Sequence, residues 1–116
     1  MIGVFLDDER NPKDVTWLNY QEGIEWYIVR RMADFLSCIH NMEEENYIIS
    51  FDHDLQDFNL TGTENTGYDC LKSLVDFCID NNMSIPVCLF HTQNPVGKEN
   101  MSCYYENAKK FIDRRT

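Results

Sequence analysis

Three short stretches of this chain gather side chains that could do chemistry. Asp7-Asp8-Glu9-Arg10, Asp52-His53-Asp54 and His91-Thr92-Gln93-Asn94 supply carboxylates, imidazoles, a guanidinium, a hydroxyl and amides. Carboxylates crowded together raise one another's pKa unless a cation intervenes, so such a cluster suits a divalent ion. Magnesium takes one or two protein carboxylates, keeps several waters and completes its shell with substrate phosphate oxygens. Asp8 and Asp52 are the first candidates for metal ligands, Asp7 follows, and Asp54 is a further acid beside them. Imidazole is the side chain suited to proton transfer near neutral pH, so His53 and His91 are candidates to give or take a proton as a phosphate ester is cleaved. Arg10 suits a phosphate or a carboxylate that must be held in place. Thr92 and Asn94 offer polar groups to a substrate, and equally fit a turn or a helix N-cap.

Each stretch follows an apolar run, which implies a common positioning device. The runs Ile2 to Leu6, "EWYIVR", "YIISFD" and "IPVCLF" read as four strands, Pro86 lying at the edge of the last. "YIISFD" is continuously apolar before its aspartate, as expected of a strand covered on both faces. Met32, Phe35, Leu36 and Ile39 recur at helical spacing, in a segment ending near "EEEN". Tyr68, Leu71, Leu74, Val75, Cys78 and Ile79 form a second helical face from Gly67, and Met101, Tyr104, Tyr105, Ala108, Phe111 and Ile112 a third. "HDLQDFNLTGTENTG" shows no periodicity and reads as a long loop, as does "HTQNPVGKEN". Strands alternating with amphipathic helices predict an α/β fold, a mostly parallel four-stranded sheet with helices on both faces. Right-handed crossovers then put the strand C-termini on one edge, where ligands bind at the reversal of strand order. That edge would collect all three polar stretches.

The totals limit the functions open to it. At 116 residues and 43% hydrophobic residues, the sequence reads as one globular domain, 1–116, rather than a disordered chain. No apolar run approaches the roughly 20 residues of a membrane span. The N-terminus lacks a basic flank and a long apolar stretch, so the expected location is cytoplasmic, with no membrane partner. Five cysteines, an odd count without a CxxC pair, make neither a disulfide framework nor a zinc site; Cys38, Cys78 and Cys88 read as small buried hydrophobes. A formal charge of −10 with only Arg30-Arg31, Lys109-Lys110 and Arg114-Arg115 as basic pairs excludes docking along duplex DNA. A site that handles one phosphate through a metal stays open, because the cation reverses the local sign. Trp26 and Tyr68 read as packing residues, and His40 is given no role.

The set "FLDDERNP", "ISFDHDL", "TGYD" and "FHTQNPVGKENM" resembles the cyclic-phosphate-processing receiver-like domain family of bacteria and their phages. The four stretches run from one end of the chain to the other in that family's order and spacing. The resemblance implies a trimmed response-regulator receiver fold, three-layered, that processes cyclic phosphates on nucleotides or at RNA ends. It marks Asp7, Asp8, Arg10, Asp52, His53 and Asp54, with His91, Asn94 and Pro95, as family-type positions. It adds Gly67 and Asp69, at a loop-to-helix turn, as substrate-binding candidates. A signalling receiver also uses an acidic pair and a strand-end aspartate with magnesium, but then has a fifth strand ending in a phosphoryl-clamping lysine. Here Lys98 reads as a loop residue, and the long Gln56–Thr66 loop and Lys98-Glu-Asn depart from the family pattern.

The leading expectation is a phosphoesterase that opens a cyclic phosphate on a nucleotide or RNA terminus. His53, His91 and Arg10 would act on the phosphate, aided by a divalent cation, magnesium first, although a metal-free version is also consistent with these residues. The alternatives are a non-catalytic receiver-like module that binds a nucleotide or a host protein, and phosphoaspartate signalling at Asp52.

Overall fold

The strands form where β-branched and aromatic residues cluster. In the computed structural model, which describes residues 1–42 and 46–114, β1 (Ile2–Leu6), β2 (Glu25–Val29), β3 (Tyr47–Phe51) and β6 (Val87–Phe90) pair in parallel in the order β2-β1-β3-β6. β3 is buried along its whole length, while β2, at one edge, is mostly exposed. Three helices complete the unit: α1 (Met32–His40), α2 (Gly67–Asp80) and α3 (Pro95–Arg114). Residues 43–45, most of the acidic segment expected to end the first helix, and Arg115 lie outside the described residues.

Side chains alternate across the sheet, so β1 and β3 each contribute to two layers. Val4, Leu6, Ile49 and Phe51 join a core with Phe35 and Ile39 of α1, Leu71 and Leu74 of α2, and Met101 and Tyr105 of α3. On the opposite face, Phe5 is fully buried against Tyr20, Trp26 and His91. The three helices thus share one core on one face of the sheet, where the sequence predicts helices on both, and the β1–β2 connection supplies cover on the other face.

Three boundaries differ from the sequence-based expectation. β6 begins at Val87, just after Pro86, which has no N–H to give a ladder. α3 begins at Pro95, well before Met101, because Asn94 accepts a hydrogen bond from the N–H of Gly97 (3.0 Å) and proline suits the first helical position. Lys98 therefore sits in the first turn of α3, not in a loop. The 53–67 stretch contains a small antiparallel hairpin, β4 (Asp57–Phe58) and β5 (Glu64–Asn65). The Asn59 side-chain oxygen holds its turn, accepting from the N–H groups of Thr61 and Thr63 and from the Thr61 hydroxyl. Gly62, at φ +83, takes the left-handed step there.

The chain runs from β1 out to β2 and then crosses back to β3 and β6. The reversal of strand order falls between β1 and β3, and the crevice outside their C-terminal ends is the place for a ligand in such a sheet.

Candidate functional site

The sheet ladder continues past the strand ends and fixes three polar residues side by side. Asp7 N–H donates to the Val29 carbonyl (3.2 Å), Asp52 N–H to Leu6 (2.8 Å) and His91 N–H to Phe51 (3.1 Å). Asp7, Asp8 and Asp52 each offer a carboxylate oxygen, and these oxygens lie within 4.8 Å of one another. Asp7 is 1% exposed and Asp52 6%. Asp54 stands outside this group, its carboxylate turned to His53 and Asn94. Gly67 allows the close approach of α2: a Cβ there would lie 1.7 Å from the Asp52 carbonyl oxygen, and its N–H donates to the His53 carbonyl (2.7 Å). Gly67 and Asp69 form the helix start, where the Asp69 carboxylate accepts from the Thr66 N–H (2.9 Å) and hydroxyl (3.1 Å) in a capping box.

Asp7 and His91 head a buried chain of hydrogen bonds. One Asp7 oxygen accepts from the N–H groups of Glu9 and Arg10, both at 2.8 Å, and the other lies 2.9 Å from His91 Nε2. His91 Nδ1 lies 2.7 Å from the Ser50 hydroxyl, which lies 2.6 Å from the Tyr20 hydroxyl. The imidazole is fully buried and stacks on Phe5 with ring centroids 4.4 Å apart. Burial pushes the Asp7 carboxyl up, but the hydrogen bonds from His91, Arg10 and Glu9 outweigh it and bring the group down to about 2. An ionised Asp7 can only accept, so the Nε2 of His91 carries a proton. Both ring nitrogens are then occupied inside the protein. The His91 ring is turned to Asp7 and Ser50 and is sealed from solvent.

Asp8 and Asp52 show the opposite electrostatics. Burial pushes both carboxyls up, and the Asp7 charge adds to the rise in each. For Asp52 this persists despite hydrogen bonds from the His53 N–H (2.8 Å) and the Thr92 hydroxyl. Arg10 pairs with Asp7 at 3.6 Å, and its charge only partly offsets the rise at Asp8. Three hard oxygen donors carrying excess negative charge fit a divalent cation of the magnesium class.

His53 occupies a different setting. Its Nδ1 lies 2.9 Å from Asp54 Oδ1, and the other Asp54 oxygen accepts from Asn94 Nδ2 (3.1 Å). The His53 hydrogen bond is the main reason the Asp54 carboxyl is lowered. Gly97 gives the imidazole room, since a Cβ there would stand 2.5 Å from the ring. Thr92 and Asn94 tie the site to α3: the Thr92 hydroxyl accepts from the Asn94 N–H (3.2 Å). Arg10 lies over the Trp17 ring and donates to Gln93 Oε1 (3.2 Å).

Four residues of this assembly escaped the sequence reading. Arg30, at the end of β2, donates to the carbonyls of Asp7 (3.1 Å) and Arg10 and to Asn11 Oδ1 (2.8 Å), locking the loop that carries the acids. Ser50 and Tyr20 complete the His91 chain, and Trp17 Nε1 donates to the His91 carbonyl (2.8 Å). Two had a visible signal. Ser50 is the one polar interruption within "YIISF", and Arg30 ends a strand on the same edge as the acids. Tyr20 and Trp17 lie in the β1–β2 connection, where no periodicity marks a direction.

The cyclic-phosphate processing receiver domain family matches this chain over residues 2–107. No curated protein and no solved structure matches it. Among the described residues, no helix is long and apolar enough to cross a membrane. The match spans nearly the whole chain and includes every residue of the acidic cluster and the His91 chain; this protein belongs to the cyclic-phosphate processing receiver domain family.

Proposed function

We propose that this protein is a phosphoesterase that opens a cyclic phosphate on a nucleotide or an RNA terminus. The observation that carries the reading is the convergence of Asp7, Asp8 and Asp52 within 4.8 Å at the reversal of strand order, in a family named for cyclic-phosphate processing. Asp8 and Asp52 are the direct metal ligands in this reading, and Asp7, held by His91 and two backbone N–H groups, shares the charge. A bound divalent cation supplies positive charge against the phosphate oxygens, where charge grows in the transition state.

His53 is the proton carrier. With a proton on Nδ1 directed to Asp54, its Nε2 lone pair accepts a proton from an attacking water. Water oxygen bonds to phosphorus, one ribose oxygen leaves, and that oxygen takes up the proton that the imidazole received. The product is a phosphate monoester, with no other reactant needed. Arg10, neighbour to Asp7 and Trp17, steadies the phosphate from the side of the β1 loop. Thr92 and Asn94 hold Asp52 and Asp54 and so set the two sides of the site.

The test is incubation of nucleoside 2′,3′-cyclic phosphates with the protein and magnesium, with products separated by chromatography. Turnover that falls at least about a hundredfold in His53→Ala and in Asp52→Asn supports the assignment. Intact ligand bound with measurable affinity would make the protein a binding module. A labile acyl phosphate formed on Asp52 by a small-molecule phosphodonor would make it a signalling receiver.

A further inference from the structure

Beside the acidic cluster, and sharing Asp8 with it, lies a cleft of about 540 Å³. This falls within the roughly 300–1,000 Å³ typical of small-ligand sites. Its walls include Arg30 and Arg31 at the junction of β2 and α1, and Gln56, Asp57 and Phe58 from the β3–β4 segment. Two adjacent arginines face three acids there, Asp8, Glu9 and Asp57, in a chain of formal charge −10.

The charged groups of the cleft are not equally free. Arg30 is committed to the β1 loop through Asp7, Arg10 and Asn11. The Asp57 carboxylate is committed too, accepting from the N–H of Met32 (3.1 Å) at the start of α1. Arg31 is exposed, and its guanidinium has no hydrogen-bond or ion-pair partner among the described residues. Phe58 is 60% exposed although it lines the cleft, and Gln56 beside it holds a left-handed backbone at φ +50. Non-glycine residues take that conformation at a cost, and such positions gather at ligand sites.

We propose that this cleft seats the nucleoside of a nucleotide with two phosphates, one at the acidic cluster and one at Arg31, its base against Phe58. The inference rests on the phosphoesterase reading for the first phosphate and adds the second. A 2′,3′-phosphate and a 5′-phosphate leave opposite ends of one ribose, so a ligand reaching both anchors carries its nucleoside between them. Guanidinium groups bind phosphate with paired, charge-assisted hydrogen bonds, and an open phenyl ring stacks on any base. The same chemistry belongs to the last nucleotide of an RNA chain and to a free cyclic nucleotide with a 5′-phosphate.

Calorimetric titration in magnesium of a nucleoside 3′-monophosphate and the corresponding 3′,5′-bisphosphate, neither of them cyclic, tests the inference. The bisphosphate should bind about tenfold more tightly, Arg31→Ala should erase that advantage, and Phe58→Ala should weaken both ligands by about tenfold. Equal affinities, or an advantage that survives Arg31→Ala, overturn it. Opening of the cyclic phosphate is assayed separately on the wild-type protein, so failure of the second anchor and failure of the phosphoesterase reading give different results. Comparing a cyclic-phosphate-ended dinucleotide with the 5′-phosphorylated mononucleotide as substrates separates the two sources.

Discussion

Asp7 and His91 are 84 positions apart in the chain, yet their side chains meet at 2.9 Å with both groups sealed from solvent. The contact has a consequence on each side. It keeps Asp7 ionised, and it leaves His91 Nδ1 to be satisfied by Ser50 alone.

Ser50→Ala should therefore destabilise the fold by about 1–3 kcal/mol, the cost of a buried polar atom left without its partner. It should also weaken divalent-cation affinity by about tenfold or more, because groups behind a metal ligand set its orientation. Thermal unfolding and metal titration of the variant check both. Unchanged metal affinity would confine the Asp7–His91–Ser50–Tyr20 chain to a packing role.

The Asp7 carboxyl also predicts an acid limb. A group lowered from 3.8 to about 2 on folding favours the folded state when ionised. Its contribution, about 2 kcal/mol, is complete above about pH 4 and is lost as the pH falls towards 2. Chemical denaturation across that range should show the loss, and Asp7→Asn should flatten it while lowering stability at neutral pH.

Asp8 and Asp52 carry the opposite sign. Carboxyls raised on folding favour the folded state at low pH, and that advantage is lost as the pH rises from 3.8 through their higher folded values. At neutral pH without metal, Asp8→Asn and Asp52→Asn should accordingly raise the melting temperature. Magnesium should stabilise the wild-type protein and fail to stabilise either variant. A melting temperature unmoved by magnesium in the wild type would remove the cation from the site.

Two glycines set the spacing of the site. Gly67→Ala drives a Cβ into the Asp52 carbonyl, so backbone must move, and both stability and metal affinity should fall. Gly97→Ala meets the His53 ring instead, at 2.5 Å. A side chain yields more readily than backbone, so this variant should keep its fold and metal binding while losing turnover. Kinetics and metal titration on the pair distinguish these outcomes.

The sheet was legible because continuous apolar runs and helical periodicity survive in one dimension. Ile2–Leu6, Tyr47–Phe51 and the Gly67 helix emerge at or within a residue of where their residues predict. The acidic cluster was legible as well, since parallel crossovers leave one edge for the ends of β1 and β3 to share. The β4–β5 hairpin was not, because two-residue strands are too short to show a period. Nor was the early start of α3, where Asn94 and Pro95 act as a cap rather than a loop.

By itself, the sequence determined which residues sit at the strand ends, since strand and helix patterns are local properties of side-chain type. Only the tertiary structure decided that His91 faces inward to Asp7 while His53 faces Asp54 at the surface. Both histidines follow closely on a strand end, His91 directly and His53 one residue further, and residue type alone does not separate them. Their surroundings separate them: Ser50 and Phe5 enclose the first, and Asp54 and Gly97 frame the second.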